Sequence, residues 1–381
     1  MQIQSKLPDV GTTIFTVMSK MAQEHGAINL SQGYPDFDPD PELIERLMHH
    51  ARSGRNQYPP MIGILELRRA ISAKLGRRSE IDVDPETEIT VTSGATEALF
   101  CAVSAVVRPG DRVIVFDPAY DSYDPAVALA GGETVHIPMA LPDYRIDWDE
   151  LEKHLDDRVR MIIINSPSNP SSGILRPDDL DRLAQAIRSL NCFVLSDEVY
   201  EHIVFDGEAH ASVLTHPELR RRSFAVFSFG KTYHVTGWKI GYCIAPPELT
   251  GEFRKIHQFN VFTTSTPMQW ALADFLESNP GNYIELPAFY QAKRDLFRSL
   301  VAESRFELLP CAGTYFQLAD YSRISDMKDT EFASWITQEK GIAVIPLSPF
   351  YRSAPDTRIV RFCFAKQDET LAEAARIINA I

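Results

Sequence analysis

From about residue 88 the chain alternates short apolar runs with stretches of helical periodicity. The runs predict strands at 88–92, 112–116, 134–138, 160–165, 192–197, 223–228 and 240–245, with helical patterns at 98–107 and 177–189 between them. Met161-Ile-Ile-Ile164 and Cys192-Phe-Val-Leu195 do not alternate polar with apolar, as expected of strands buried on both faces. Strands separated by helices predict an α/β fold with a mostly parallel seven-stranded sheet and helices on both faces. After about residue 270 the rhythm changes. Helical patterns at 268–277, 288–303 and 329–339 mix with apolar runs at 306–309, 314–318, 342–345 and 358–364, which predicts a smaller α+β domain. The expected division is an N-terminal arm over 1–40 joining the small domain, a large domain over 41–275, and a small domain over 276–381. The arm is too short to form a core alone, and the proline- and aspartate-rich 34–41 stretch reads as an irregular crossing.

Composition narrows the function classes. The 381 residues are 44% apolar and 24% charged, ample for a core. A formal net charge of −14 offers no electrostatic footprint for a phosphate backbone, so no nucleic-acid partner is expected. No apolar run approaches the roughly 20 residues of a membrane span. Five scattered cysteines and an N-terminus without the basic-then-apolar layout of a signal peptide predict a reduced, cytoplasmic protein.

Four segments lie just past the carboxyl ends of predicted strands, the edge where open α/β sheets bind ligands. Thr92-Ser-Gly94-Ala95-Thr96-Glu leaves a strand and opens a helix. Ser93 or Thr96 would cap that helix, and its free N–H groups suit an anion such as phosphate, although an ordinary turn fits equally well. Asn165-Ser-Pro-Ser-Asn169-Pro is a loop stiffened by two prolines, which would hold Asn169 as a fixed donor, although by itself the segment reads better as a rigid turn. Asp197 ends a buried strand, where a carboxylate needs a cation, a metal or a helix to cap. No His or Cys lies at ligand spacing, so the metal reading is the weaker one. Lys231 follows a buried strand beside Gly230. Gly230-Lys231-Thr232 matches the tail of a P-loop, but position 225 is alanine where that motif needs glycine, and no G-x-G-x-x-G occurs either. A phosphate cradle, a buried aspartate, a positioned asparagine and a strand-end lysine are together what a pyridoxal 5'-phosphate site needs.

These residues resemble those of the fold-type I, class I/II aminotransferases. The resemblance runs from Gly33-Tyr-Pro-Asp-Phe37 to Arg361-Phe-Cys-Phe-Ala-Lys366, with Asp197-Glu-Val-Tyr200 and Ser228-Phe-Gly-Lys231 through Lys239-Ile-Gly-Tyr242 as its most specific parts. Within the family the chain is most similar to the methionine and kynurenine aminotransferase/glutamine transaminase K group, through 28–33, 116–123 and His257-Gln258. The resemblance implies that Lys231 joins the cofactor aldehyde and then moves the substrate proton, and that Asp197 pairs with the ring nitrogen. It implies Asn169 and Tyr200 on the ring 3′-oxygen and Tyr120 stacked on the ring. Gly94, Ala95, Thr96, Ser228 and Lys239 would hold the phosphate, and Tyr58 would reach the phosphate of the neighbouring subunit in a homodimer with shared sites. Arg361, in a buried-strand context, would grip the substrate α-carboxylate through two parallel hydrogen bonds, with Gly33 and Asn169 beside it. Phe15, Tyr34 and Phe262 would line the side-chain pocket. Many relatives carry arginine where Lys239 stands, so a looser phosphate grip is expected.

The implied reaction is a ping-pong transamination between an amino acid and a 2-oxo acid. With no clear second arginine for a distal carboxylate, the expected donors are methionine, glutamine and aromatic residues including kynurenine. A carbon–sulfur β-lyase with the same lysine, aspartate and arginine is the nearest alternative. A non-catalytic ligand sensor is the alternative outside enzymes.

Overall fold

The computed structural model describes residues 3–79 and 81–381. Seven strands form one sheet in the order Ile89–Thr92, Gly241–Ile244, Ser223–Ser228, Phe193–Asp197, Val159–Asn165, Arg112–Asp117, Glu133–Pro138. Only Gly241–Ile244 runs antiparallel to its neighbours. The continuous apolar runs are explained by burial on both faces. Ile162, Ile164, Val194 and Phe227 enter one hydrophobic cluster, and their neighbours Met161, Ile163, Leu195 and Val226 enter another on the opposite face. The seven expected strands all form, within two residues at each end.

A second sheet of four antiparallel strands has the order Ile345–Pro346, Ile359–Cys363, Phe316–Asp320, Glu307–Leu308. Its cluster includes Met18 and Leu30 of the N-terminal arm. The arm's first helix, Ile14–His25, starts where the Thr13 hydroxyl accepts from the Thr16 N–H and ends on Gly26 in the left-handed region. Ile28–Asn29 then pairs in parallel with Ile342–Ala343, and the Cys363 N–H donates to the Leu30 carbonyl at 2.8 Å. The single strand expected over 342–345 is therefore two strands in two sheets. Its first half pairs with the arm and its second half with Val360 and Arg361. The helix Thr266–Ser278 packs on Pro41–Arg52 and Leu65–Ser79 and runs three residues past the expected break at 275. Arg220-Arg-Arg222, which reads as a solvated turn, is so only in part. Arg222 donates to the carbonyls of Ile187, Leu190 and Cys192 and so stops the end of a neighbouring helix.

Candidate active site

Strand register sets the site. Thr92, Asp117, Asn165, Asp197 and Ser228 close their strands at the same edge of the sheet, and Asn165 lies opposite Asp197. A cavity of about 160 Å³ opens there, lined by Gly94, Ala95, Thr96, Tyr120, Asn169, Asp197, Tyr200, Ser228, Lys231 and Lys239. Ten of the expected site residues thus share one cavity. Lys231 and Lys239 are its only cationic lining groups among the described residues.

At one end of the cavity the helix Gly94–Val106 begins with Gly94 at φ +74°. The expected cap is absent, because the Ser93 side chain makes no capping bond. Glu97 accepts from the Ser93 N–H at 3.3 Å, and among the described residues no side chain takes the N–H groups of Gly94, Ala95 and Thr96, which suits an anion. A Cβ on Gly94 would sit 3.2 Å from Lys239 Cε and 3.3 Å from Nζ. A Cβ on Gly241 would lie 2.9 Å from the Ala95 nitrogen. Both glycines keep the helix start and the lysine close together.

Asp197 is 3% exposed. It accepts from the Tyr123 phenol at 2.8 Å and from the Val199 N–H at 3.4 Å, and no cation hydrogen-bonds it among the described residues. Burial pushes its carboxyl up to about 6 against those two donors and the positive charge of Lys231. A carboxylate held this way favours a positively charged ring N–H within reach. With the uncapped helix start and Lys239, it makes the cavity fit pyridoxal phosphate.

Lys231 sits in the one-turn helix Phe229–Thr232 directly after the Ser223–Ser228 strand. Its Nζ donates to the Gly33 carbonyl and the Tyr315 phenol, each at 3.1 Å. Burial brings its pKa down to about 8, and the charges of Lys239 and Arg361 push the same way. Arg361, from the centre of the small sheet, is wholly buried. Its Nη1 donates to Asn169 Oδ1 at 2.5 Å, its Nη2 to the Ser31 carbonyl at 3.0 Å, and its guanidinium lies 3.8 Å from the Phe316 ring centroid. Its Nε is buried and has no partner among the described residues. An orphaned guanidinium N–H beside Asn169 is what an incoming carboxylate would satisfy.

The other expected residues are placed differently. Gly33 reaches the site through its carbonyl, on Lys231. Phe15 lies 5.3 Å from the Arg361 guanidinium. Tyr34 is half exposed, its carbonyl accepting from Lys366. Tyr58 is 85% exposed, does not line the cavity, and packs edge-on against the exposed Phe262 at 5.7 Å. The chain alone does not carry these three side chains to the cavity.

Sequence reasoning missed Tyr123, Tyr315, Ser31 and Phe316. Phe316 sits in an apolar run and reads as core, and Tyr123 lies in a polar turn with no signal of its own; only the fold turns Tyr123 toward Asp197 and lays Phe316 under Arg361. It also missed the buried meeting of Glu97 and Cys101, one turn apart on the same helix, with the distant His257. His257 Nδ1 lies 2.9 Å from Glu97 and its Nε2 lies 3.0 Å from the Met61 carbonyl, while Cys101 Sγ donates to Glu97 at 2.8 Å. These groups satisfy one another.

The turn carrying Tyr120 and Tyr123 is braced by His136, whose Nδ1 is 2.8 Å from Asp117 and whose Nε2 is 3.1 Å from Asp124. Burial alone would lower this imidazole's pKa, but the two carboxylates outweigh it and raise it to about 9. A base with a raised folded pKa stabilises fully below its unfolded value near 6.5, and that contribution is lost as pH rises through about 9. The gap in thermal midpoint between the wild type and His136→Gln is expected to shrink by roughly 4 °C between pH 6.5 and 9.5. A gap independent of pH in calorimetry would refute the brace.

The comparisons with known proteins agree with this geometry. The family described as aminotransferase class I and II matches residues 25–378. The chain is 53% identical to a methionine aminotransferase of Escherichia coli over 99% of its own length and 98% of that protein's. It is 32% identical to human kynurenine–oxoglutarate transaminase 3, across 98% and 89% of the two chains. The crystal structure of YbdL from Escherichia coli, for which a methionine aminotransferase function is identified, superposes with a TM-score of 0.98 at 52% identity over the full length of both chains. That of N-succinyldiaminopimelate aminotransferase from Mycobacterium tuberculosis superposes at 0.96 with 37% identity, again over both full lengths.

Proposed function

This chain belongs to the class I and II aminotransferases, and from that premise we propose that it transfers the amino group of methionine, glutamine or an aromatic amino acid, kynurenine included, to a 2-oxo acid. The observation that carries the chemistry is the meeting of Lys231 and Asp197 on one cavity beside Arg361. The donor class rests on the relatives that are methionine and kynurenine aminotransferases.

Bound pyridoxal phosphate supplies an aldehyde that takes up the amino group and a ring that withdraws the electrons left when the α-proton departs. The chain's residues do the rest. The uncapped turn at Gly94–Thr96, with Ser228 and Lys239, would hold the cofactor's phosphate. Asp197, fixed by Tyr123, would keep a proton on its ring nitrogen. Tyr120 would stack on the ring, and Tyr200 and Asn169 would donate toward its oxygen. Arg361 orients the α-carboxylate with its Nε–H, which has no partner among the described residues, so that Cα–H faces Lys231. With its pKa near 8, Lys231 has a substantial neutral fraction at physiological pH, and it accepts the proton from one carbon and returns it to another.

The same reading makes residues 1–40 part of the small domain, 41–275 the large domain and 276–381 the small one. Tyr58 and Phe262, exposed on a single chain, would meet the neighbouring site of a homodimer. Among the described residues no helix is long and apolar enough to cross a membrane, and the reading places the protein in the cytoplasm.

The test is spectroscopic. The purified protein is expected to carry a yellow absorbance band that borohydride fixes at Lys231, as mapped by peptide mass. Methionine, glutamine, phenylalanine and kynurenine are expected to bleach the band far faster than aspartate. Faster bleaching by aspartate would overturn the donor class. Pyruvate and ammonia released from cystathionine with no oxo acid present would favour the β-lyase.

A further inference from the structure

Three polar groups close a ring behind the cavity. The Tyr315 phenol donates to the Gly33 carbonyl at 2.6 Å, and Lys231 Nζ donates to that carbonyl and to the phenol oxygen, at 3.1 Å each. Tyr315 is wholly buried and does not line the cavity. Its ring stands edge-on to Tyr200 with centroids 5.2 Å apart, and lies 5.5 Å from Tyr290. The phenol thus has one fixed place. Its proton is committed to the carbonyl, so it faces the lysine as an acceptor.

We propose that Tyr315 is a positioning residue, holding the free amine of Lys231 with the Gly33 carbonyl so that its lone pair points at the substrate α-proton. This rests on the reading of Lys231 given above. A neutral amine has two N–H bonds and one lone pair. Both N–H bonds are engaged here, so the lone pair is the only valence left to face the cavity. In the proton transfer a new N–H bond forms as Cα–H breaks, and the C–H electron pair stays on the substrate side. The resulting ammonium keeps both anchors and holds the third proton for return. Gly33 belongs to the same device. A Cβ there would fall 2.8 Å from Phe316 Cζ and push the carbonyl off the lysine. Burial also raises the Tyr315 pKa well above the usual phenol value, so it stays a donor to Gly33 across the working range.

The test is Tyr315→Phe, which keeps the ring and removes the oxygen. In cofactor-free protein at pH 8, competitive acetylation read by peptide mass is expected to label Lys231 about fivefold faster than in the wild type, the effect of losing one hydrogen bond. Lys74, also buried, serves as the reference and should not change. In the loaded enzyme, single-turnover bleaching by methionine is expected to slow roughly 10- to 100-fold. The deuterium isotope effect with α-deuterated methionine should rise, while donor affinity holds. Wild-type bleaching and isotope effect in a variant that loads normally would overturn the proposal, as would equal acceleration at Lys74 and Lys231. Should borohydride fix the cofactor at another lysine in the wild type, the reading of Lys231 itself fails, a result distinct from these.

Discussion

Lys231→Ala is expected to lower turnover by about four orders of magnitude, because one substitution removes both the nucleophile and the proton carrier. The strand-end position of Lys231 explains why no neighbour can substitute. Lys239, the other cation of the cavity, sits over Gly94 at the phosphate end. The variant is expected to bind pyridoxal phosphate without forming the borohydride-fixable bond. Added small primary amines are expected to restore part of the lost rate, since the hole left by the side chain opens on the cavity. Stopped-flow bleaching by methionine, with and without ethylamine, checks this. A variant retaining a tenth of wild-type turnover would place the base elsewhere.

Asp197→Asn is the second large effect, expected at about two to three orders of magnitude in kcat. Breaking a buried charge pair by removing one partner costs roughly 3–5 kcal/mol. Even with the positive charge of Lys231 nearby, burial holds the Asp197 carboxyl at about 6. A cofactor ring nitrogen that shares its proton would return it to the charged state and gain in basicity itself. Asparagine keeps the shape and can still bond Tyr123, so the fold should survive. The cofactor should bind at least tenfold more weakly, and the pH dependence of its absorbance should move to lower pH as the ring nitrogen loses its proton more easily. An unchanged spectral titration together with unchanged kcat would remove Asp197 from the chemistry.

How much of this was legible beforehand follows residue by residue. Met161 to Ile164 announced a strand buried on both sides, since only a sheet covered twice makes a continuous apolar run favourable. Asp197 and Lys231 stood out because charged groups at the ends of such runs need partners. Phe316 and Tyr315 gave no such signal. An aromatic residue in an apolar run is almost always core, and these two are core as well; what they also touch depends on a strand 45 residues further along and on a loop 282 residues away. The split of 342–345 between two sheets was invisible for a similar reason, because both halves are equally apolar and only their partners differ. Ser93 looked like a cap by residue type, but the local backbone leaves its hydroxyl unused.

By itself, the order of residues along this chain determined the alternation of strands and helices, and with it the sheet edge at which chemistry-bearing side chains collect. Periodicity and the cost of burying charge are local properties, readable one segment at a time. The tertiary structure alone decided that Arg361 stacks on Phe316 with one nitrogen unsatisfied, that Tyr123 steadies Asp197, and that Gly33 and Tyr315 grip the lysine. Those contacts join segments that are not neighbours in the chain, and their geometry is set by strand pairing and packing rather than by any property of the segments themselves.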